Sequence, residues 1–336
     1  MSSLRAYIIG RILLTIPMIL VLITIVFLVL RVMPGDPCLA ILREGASQAQ
    51  LDNCRKGLGI DRPVPVQYVN YVVGLIQGDL GTSMTRRRPV IDEIRDRFPA
   101  TFELAVSAML VTVVVGISTG AFAAQKRKSV ADYVLRIFSI VIYSMPIFWF
   151  GLILQLILGL RLGLLPTYGR IGTELAPQTI TGLYVVDSLI GLNWASLKSA
   201  LIHLVLPSLT LGLVLSGIFT RLTRANMLDV LRQDFITSGR ARGIPESNLV
   251  YGHALKNAFI PILTLMGLQF AVLLAGAILT ETTFSWPGMG RLLVERIYDR
   301  DFATVQGVVT LFAVLVACIS LLVDILYAYI DPRIRY

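Results

Sequence analysis

The chain has 336 residues, of which 15% are Asp, Glu, Lys or Arg and 55% are hydrophobic. Soluble domains carry about 25% charged residues, so a soluble enzyme, a disordered chain and a disulfide-dense scaffold are all disfavoured. The net charge of +9 does not point to nucleic acid, because no basic stripe interleaved with aromatics is present. Many Lys and Arg residues flank apolar blocks instead, as in proteins oriented in a membrane by their positive charges.

A bilayer core about 30 Å thick takes about 20 apolar residues at 1.5 Å rise each. Six segments meet that length: Ile12 to Leu30, then about 101–124, 137–160, 200–220, 260–280 and 303–329. The first is longer than a signal-peptide core and no A-x-A-like cleavage site follows it, so it is expected to stay as an anchor. Pro17, Pro146, Pro207 and Pro261 are expected to mark helix kinks or starts. With the N-terminus placed in the cytoplasm, fourteen Lys and Arg residues lie inside and six lie in the shorter outside loops. The segment Arg31 to Arg97 is too long to count, since long loops translocate regardless of charge. Both termini are therefore expected in the cytoplasm. The expected divisions are an anchor helix over 1–33, an extracytoplasmic segment over 34–97, and a five-helix core over 98–336.

The segment 34–97 reads as partly helical. Ser47 and Gln50 have the spacing of a capping box, and Gly57 and Gly59 are placed to stop the helix. Tyr68, Val69, Val72, Val73 and Ile76 recur at helical spacing. Two readings stand: a cap lying on the membrane surface, or a docking surface for a partner that delivers substrate. Cys38 and Cys54 fall in the same segment. A disulfide between them would close a short loop and stabilise by ~3 kcal/mol on a chain-entropy estimate; bridged and free thiols both remain open. Cys318, inside the sixth span, reads as a packing residue.

The segment 221–259 is rich in Arg. Met227, Leu228, Leu231, Phe235 and Ile236 suggest a helix, Gly243-Ile244-Pro245 breaks it, and a second helix can run from Glu246 towards Pro261. On composition alone this is either a solvated loop that sets topology or a lever that fits a groove on a soluble partner.

The same segment resembles the coupling loop of ABC importer permeases of the dipeptide, oligopeptide and nickel family. The general form is E-A-A, three residues, Gly, about nine residues, then I-x-L-P. Here Thr237-Ser238-Gly239 replaces E-A-A, Gly243 is the aligned glycine, and His253 to Asn257 replaces I-x-L-P. The peptide-permease version is closer: Asp234, Phe235, Ile236, Arg240, Ala241, Arg242, Gly243, His253, Ala254, Leu255, Lys256, Asn257 and Ala258 fit it. Other segments resemble the family in the same order. They are Met33 to Pro37, Gly78 to Gly81, Arg97 to Thr101, Ser144 to Trp149, Leu279 to Glu281, Phe284 to Gly290, and Asp331 to Arg335.

The resemblance implies an all-α integral membrane protein with six transmembrane helices and the ABC type I importer permease fold, in a prokaryotic cell membrane. It implies a second, homologous permease subunit, two cytoplasmic ATP-binding subunits and an extracytoplasmic substrate-binding protein as partners. Asp234, Thr237, Arg240, Ala241, Arg242, Gly243, His253 and Asn257 would form the ATPase-coupling loop. The stretch from Thr181 to Asp187, with Asn193-Trp194, resembles dipeptide-type members and points to short peptides; related permeases carry nickel or oligosaccharides. The chain lacks a G-x-x-x-x-G-K-[ST] phosphate loop, so ATP hydrolysis is expected in separate subunits. No catalytic residue, cofactor or metal is expected, since there are two His in all and no H-E-x-x-H or G-x-S-x-G motif.

Polar residues inside the spans are functional candidates by default. Gln155 and Gln269 line a pathway or bond across helices. Glu281 faces arriving substrate, caps a helix or pairs with Arg291. His203 and Asp324 would be the relay of a proton-coupled secondary transporter, the main rival reading, but no internal repeat of spans is visible. Their plainer roles are a reach to headgroups for His203 and an ion pair near the membrane interface for Asp324.

Overall fold

The computed structural model describes residues 4–32, 37–42 and 46–330. The motifs at Met33 to Asp36 and Asp331 to Arg335 lie outside the described residues. Among those described, the architecture is helical, and a single extended bridge joins Thr82 to Pro89.

Fourteen helices follow in chain order. An anchor, α1 (Leu4–Val32), precedes three short helices, α2 (Pro37–Leu42), α3 (Gln48–Leu58) and α4 (Val64–Ile76). The core begins with α5 (Val90–Gln125), α6 (Val130–Ser144) and α7 (Ile147–Leu154), the last continuing as a π-helical stretch, Gln155–Arg161. Next come α8 (Tyr184–Ile190), α9 (Trp194–Val230) and α10 (Asp234–Ala241). A π-helical stretch, Asn248–Ala254, leads into α11 (Leu255–Leu274), followed by α12 (Ile278–Thr283), α13 (Met289–Tyr298) and α14 (Phe302–Ile330). Five of these elements are singly long and apolar enough to cross a bilayer: α1, α5, α9, the run Asn248–Leu274, and α14.

The third expected span is a broken pair. Helices α6 and α7 meet at 103°. The cause is Pro146, which drives Met145 out of the helical region to ψ 135° and starts α7. The pair still climbs steadily along α9. Asp132 pairs with Arg224, Ser139 lies against Gly217, and Gly151 lies against Thr210. From Arg224 to Thr210 is about 21 Å along a helix. Past the break, the loop after Arg161 reaches Ser199 near the start of α9 through the Gly172 amide at 3.0 Å, so the chain is redirected without returning to its starting side.

Other boundaries shift for a packing reason. The expected span at 200–220 is the middle of α9, which has 37 residues. Its last turns bury Met227 and Val230 against Ala121, Ala124 and Ile236, so protein supports the helix where lipid would not. The expected span at 260–280 starts earlier, at Asn248, and ends at Leu274. There Gly276 adopts φ +102° and turns the chain into α12.

Helices α5 and α9 are pressed together along their length. A Cβ on Gly116 would fall 2.5 Å from that of Phe219, and one on Gly212 would fall 2.5 Å from that of Val111. Ser107 and Ser208 bond at 2.6 Å, Thr119 and Thr220 at 2.8 Å, and the Thr112 hydroxyl donates to the Gly212 carbonyl at 3.2 Å. Small residues and hydroxyls are what membrane helices use to approach closely, because lipid removes the hydrophobic drive between them.

Beyond the start of α5, side chains bind the loops to it. Arg296 meets Glu93 at 2.9 Å, and Arg170 meets Glu103 through Nε at 2.9 Å and Nη2 at 2.6 Å, all four side chains being buried. Glu103 also accepts from the Val185 amide at 2.8 Å. Asp301, at the head of α14, accepts from the Ser83 hydroxyl at 2.5 Å and from the amides of Met84 and Thr304. Burial alone would raise its pKa; these donors outweigh it and hold the carboxyl below the usual carboxylate range.

Two outcomes follow. Gly212→Val is expected to overpack the α5–α9 contact and cost about 1–3 kcal/mol or more. Thermal unfolding of the detergent-solubilised chain, followed by Trp fluorescence, measures this. Gly252→Ala, where the space is open, serves as the control and should leave the midpoint unmoved. Asp301→Asn should destabilise by about 1–3 kcal/mol at neutral pH. Because the folded pKa of Asp301 is lowered, its contribution is present above the unfolded value near ~3.9 and lost as pH falls through the folded value. The gap between Asp301→Asn and the parent chain should therefore close on acidification below about pH 4.

Candidate functional site

The helix-turn-helix expected at 221–259 is present in a tighter form. Its first helix is only α10, because Met227 belongs to α9. Gly243 follows the cap residue Arg242 with φ +79°. The Ile244 amide bonds the Gly239 carbonyl at 3.2 Å and the Gly243 amide bonds the Arg240 carbonyl at 3.0 Å. This is a Schellman ending, which requires the left-handed backbone that glycine adopts without strain. The chain then turns at Pro245 and re-enters helix at Glu246, as expected, with the π-helical stretch following from Asn248.

One side of α10 is fixed. Ile236 and Gly239 are buried, and a Cβ on Gly239 would meet Leu249 at 2.6 Å. Ile236 shares a core with Ala121 and Ala124 of α5, Met227 of α9, and Val250, Ala254 and Ala258. The other side is exposed and carries Asp234, Thr237, Arg240, Ala241 and Arg242. His253 and Asn257 are exposed on the next helix, where the Asn257 side chain donates to the His253 carbonyl at 2.8 Å. Arg240 grips Glu246 across the turn, through Nη2 at 2.6 Å and Nε at 3.0 Å, and holds that carboxyl below its usual range. This exposed pair is worth little as stability, yet it commits Arg240 to the turn. Arg242 makes no ion pair among the described residues and is free to reach outward.

The remaining candidates separate. Gln155 donates to the carbonyls of Thr167 at 2.6 Å and Thr283 at 3.2 Å, so it staples the π-helical stretch to the loop and to α12. Gln269 lines a largely apolar cavity of about 250 Å³ between α9, α11 and α12, with Leu211, Leu215 and Ile278. Glu281 is fully buried. The Thr101 hydroxyl donates to it at 2.7 Å and the Arg291 amide at 2.9 Å, so its carboxyl caps α13 and binds α12 to α5. Burial pushes its pKa up, against those bonds. In this conformation it faces no solute. Asp324 pairs with Arg11 at 3.0 Å, and the His203 ring bonds the Ser199 carbonyl within its own helix; neither forms a relay here. Cys38 and Cys54 are joined by a disulfide, with Cα atoms 5.9 Å apart. The Ser47–Gln50 capping box is present, and its helix ends at Gly59.

Several anchoring residues escaped sequence reasoning. Glu103 lies inside an expected apolar span, which was a usable signal. Asp132 stands three residues after Ser129, the spacing of an N-cap, and Ser129 does cap α6. Arg170, Arg296 and Asp301 carried no local signal, because their partners are distant in sequence.

Comparison with known proteins agrees with this arrangement. Residues 116–336 match the family described as binding-protein-dependent transport system inner membrane component, and residues 4–105 match its N-terminal companion. The chain is 42% identical to a dipeptide transport system permease protein of Alkalihalophilus pseudofirmus over 335 residues, 98% of this chain and 99% of that one. It is 39% identical to the dipeptide transport system permease protein of Escherichia coli K12 over 334 residues, 98% of each. It is also 39% identical to a glutathione transport system permease protein of Pectobacterium atrosepticum over 330 residues, 98% of this chain and 99% of that one. The chain belongs to the binding-protein-dependent transport inner-membrane components, the permease subunits of ABC importers.

The turn yields a direct test. Gly243→Val should strain the left-handed position by about 1–2 kcal/mol, whereas Gly243→Asn, a residue that tolerates this region, should not. Limited proteolysis between Arg240 and Glu246 is expected to accelerate in the Val variant alone. Equal cleavage of both would show that the turn does not depend on its backbone conformation.

Proposed function

We propose that this chain forms half of the translocation pathway of an ATP-driven importer of short peptides in a prokaryotic cytoplasmic membrane. It pairs with a homologous permease, two cytoplasmic ATP-binding subunits bind beneath, and an extracytoplasmic binding protein delivers the substrate. Both termini and the segment 221–259 face the cytoplasm, and the segment 34–97 lies outside. The positive-charge bias supports this orientation. Peptide as substrate is supported by the names of the relatives, which refer to dipeptides and to glutathione, itself a tripeptide.

The observation that carries the mechanism is the two-sided construction of α10. Its buried side is fixed on α5, α9 and the start of α11, while its exposed side presents Arg242 and the turn. A partner that moves this helix moves three spans with it. The coupling residues are Asp234, Thr237, Arg240, Ala241, Arg242, Gly243, His253 and Asn257. The pathway wall on this subunit includes Gln269.

Proteoliposomes containing the tagged chain and its copurifying subunits provide the test. ATP-dependent uptake of a labelled dipeptide is expected, with nickel and oligosaccharide taken up poorly. Arg242→Glu should lower uptake at least about tenfold, the effect of losing ~1.4 kcal/mol of docking energy, with membrane insertion unchanged. Full uptake by that variant would sink the coupling role. Uptake by the chain without any ATPase would sink the importer.

A further inference from the structure

Two adjoining cavities lie at the opposite end of the molecule from α10, where α1 finishes and α14 begins. The first, of about 490 Å³, has a polar wall: Arg31 from the last turn of α1, Gln67 and Asn70 from α4, Asp79, and Gln306 from α14. Three of its polar atoms are buried and have no hydrogen-bond partner among the described residues, namely Arg31 Nε, Gln67 Oε1 and Gln306 Nε2. Buried polar groups in folded proteins are nearly always satisfied, so these three atoms offer two donors and an acceptor to whatever enters the cavity. Arg31 forms no ion pair among the described residues; its guanidinium lies 4.9 Å from the centre of the Phe27 ring. Phe27 in turn stacks on Tyr71 at 5.9 Å and meets Tyr68 edge-on at 5.3 Å, which holds α4 against α1.

The second cavity, of about 340 Å³, is almost wholly apolar and runs between Ile16 to Ile23 of α1, Val72 to Ile76 of α4, and Thr310 to Val314 of α14. Leu80 lines both cavities. The apolar one opens on the outward side of the bundle, where Ile16, Leu20 and Ile76 are exposed. Arg31 closes the 24-residue apolar run of α1 that starts at Ile8, which sets it at headgroup depth. A polar chamber with a cation that makes no ion pair among the described residues, sharing its Leu80 wall with an apolar groove at the lipid-facing side, suits the two halves of an amphiphile.

We propose that the two cavities together bind one phospholipid. Its phosphate accepts from Arg31 Nε and Gln306 Nε2, a headgroup hydroxyl or ammonium donates to Gln67 Oε1, and one acyl chain lies between α1, α4 and α14. Arg suits the phosphate because it offers several fixed donors. The lipid thereby joins the anchor α1 and the segment that follows it to the core at α14.

The test titrates the delipidated full-length chain, in detergent, by native mass spectrometry. The probes are phosphatidylglycerol, diacylglycerol with the same chains, and glycerol phosphate. The first phosphatidylglycerol molecule should bind roughly tenfold tighter than diacylglycerol. Arg31→Gln should remove that difference. Leu75→Trp, which fills the groove, should weaken phosphatidylglycerol and leave glycerol phosphate unaffected. Equal binding of phosphatidylglycerol and diacylglycerol by the parent chain, or an unchanged preference in Arg31→Gln, overturns the site. Glycerol phosphate binding as tightly as phosphatidylglycerol would make the chamber a soluble-anion site and overturn the lipid. If Arg31→Gln does not insert, Gln306→Leu takes its place with the same expected loss.

Discussion

The close approach of α5 and α9 is the constraint on which the rest of the molecule depends. Gly116 and Gly120 on one helix and Gly212 on the other leave no room for even a methyl group. A contact this tight is set by shape, and in a bilayer shape is most of what helix association has to work with. The hydroxyl pairs Ser107–Ser208 and Thr119–Thr220 then fix register, since sliding one helix by a turn would break both. Each helix is about 54–56 Å long at 1.5 Å per residue, more than a bilayer core requires. The excess at each end is therefore a stiff platform outside the hydrocarbon.

The two ends of that platform use different chemistry. At the start of α5, buried charges do the joining: Glu93 to Arg296, Glu103 to Arg170, and the Thr101 hydroxyl to Glu281. Buried ion pairs are weak contributors to net stability, but breaking one leaves an uncompensated charge, so they define one arrangement sharply. The Trp286 indole adds a bond to the Ala100 carbonyl at 2.8 Å. At the other end the joint to α10 is apolar, with Ala121, Ala124, Met227 and Ile236 packed face to face, and the Asp132–Arg224 pair ties α6 to α9 beside it. Alanines there let α10 lie close to the helix ends. Its exposed side is left with the charges that a soluble surface can recognise.

Much of this was legible in the sequence, and the losses have a pattern. Apolar blocks revealed the spans, because a bilayer demands about 20 apolar residues wherever a helix crosses it. The same signal could not show that α9 continues to Val230 or that a π-helical stretch from Asn248 leads into α11, since those turns rest on protein. Pro146 was visible as a start, yet not the 103° bend it produces, because the angle depends on what α7 packs against. The proposed coupling residues come from resemblance, and Gly243 stands where its backbone demands glycine. The burial of Glu281 was not legible. Its partners Thr101 and Arg291 lie on other helices, and only the tertiary fold decides whether a carboxylate after a span meets solute or caps a helix.

The path of a force through the bundle follows from these contacts. A force applied to α10 reaches α9 through Met227 and α5 through Ala121 and Ala124 in the same layer, so it cannot tilt one of these helices alone. The tight contact above that layer carries the displacement along both helices to Glu103 and Arg170. Two turns in the core lie beside this pair. One is Met145, extended between α6 and α7; the other is Gly276, whose φ of +102° joins α11 to α12. Both border the cavity that holds Gln269, through Ile147 on one side and Gly276 itself on the other. Both turns thus lie beside the proposed pathway wall, and the α5–α9 pair lies behind it. A displacement of α10 transmitted through α9 therefore bears on the wall of the cavity that Leu211 and Leu215 form.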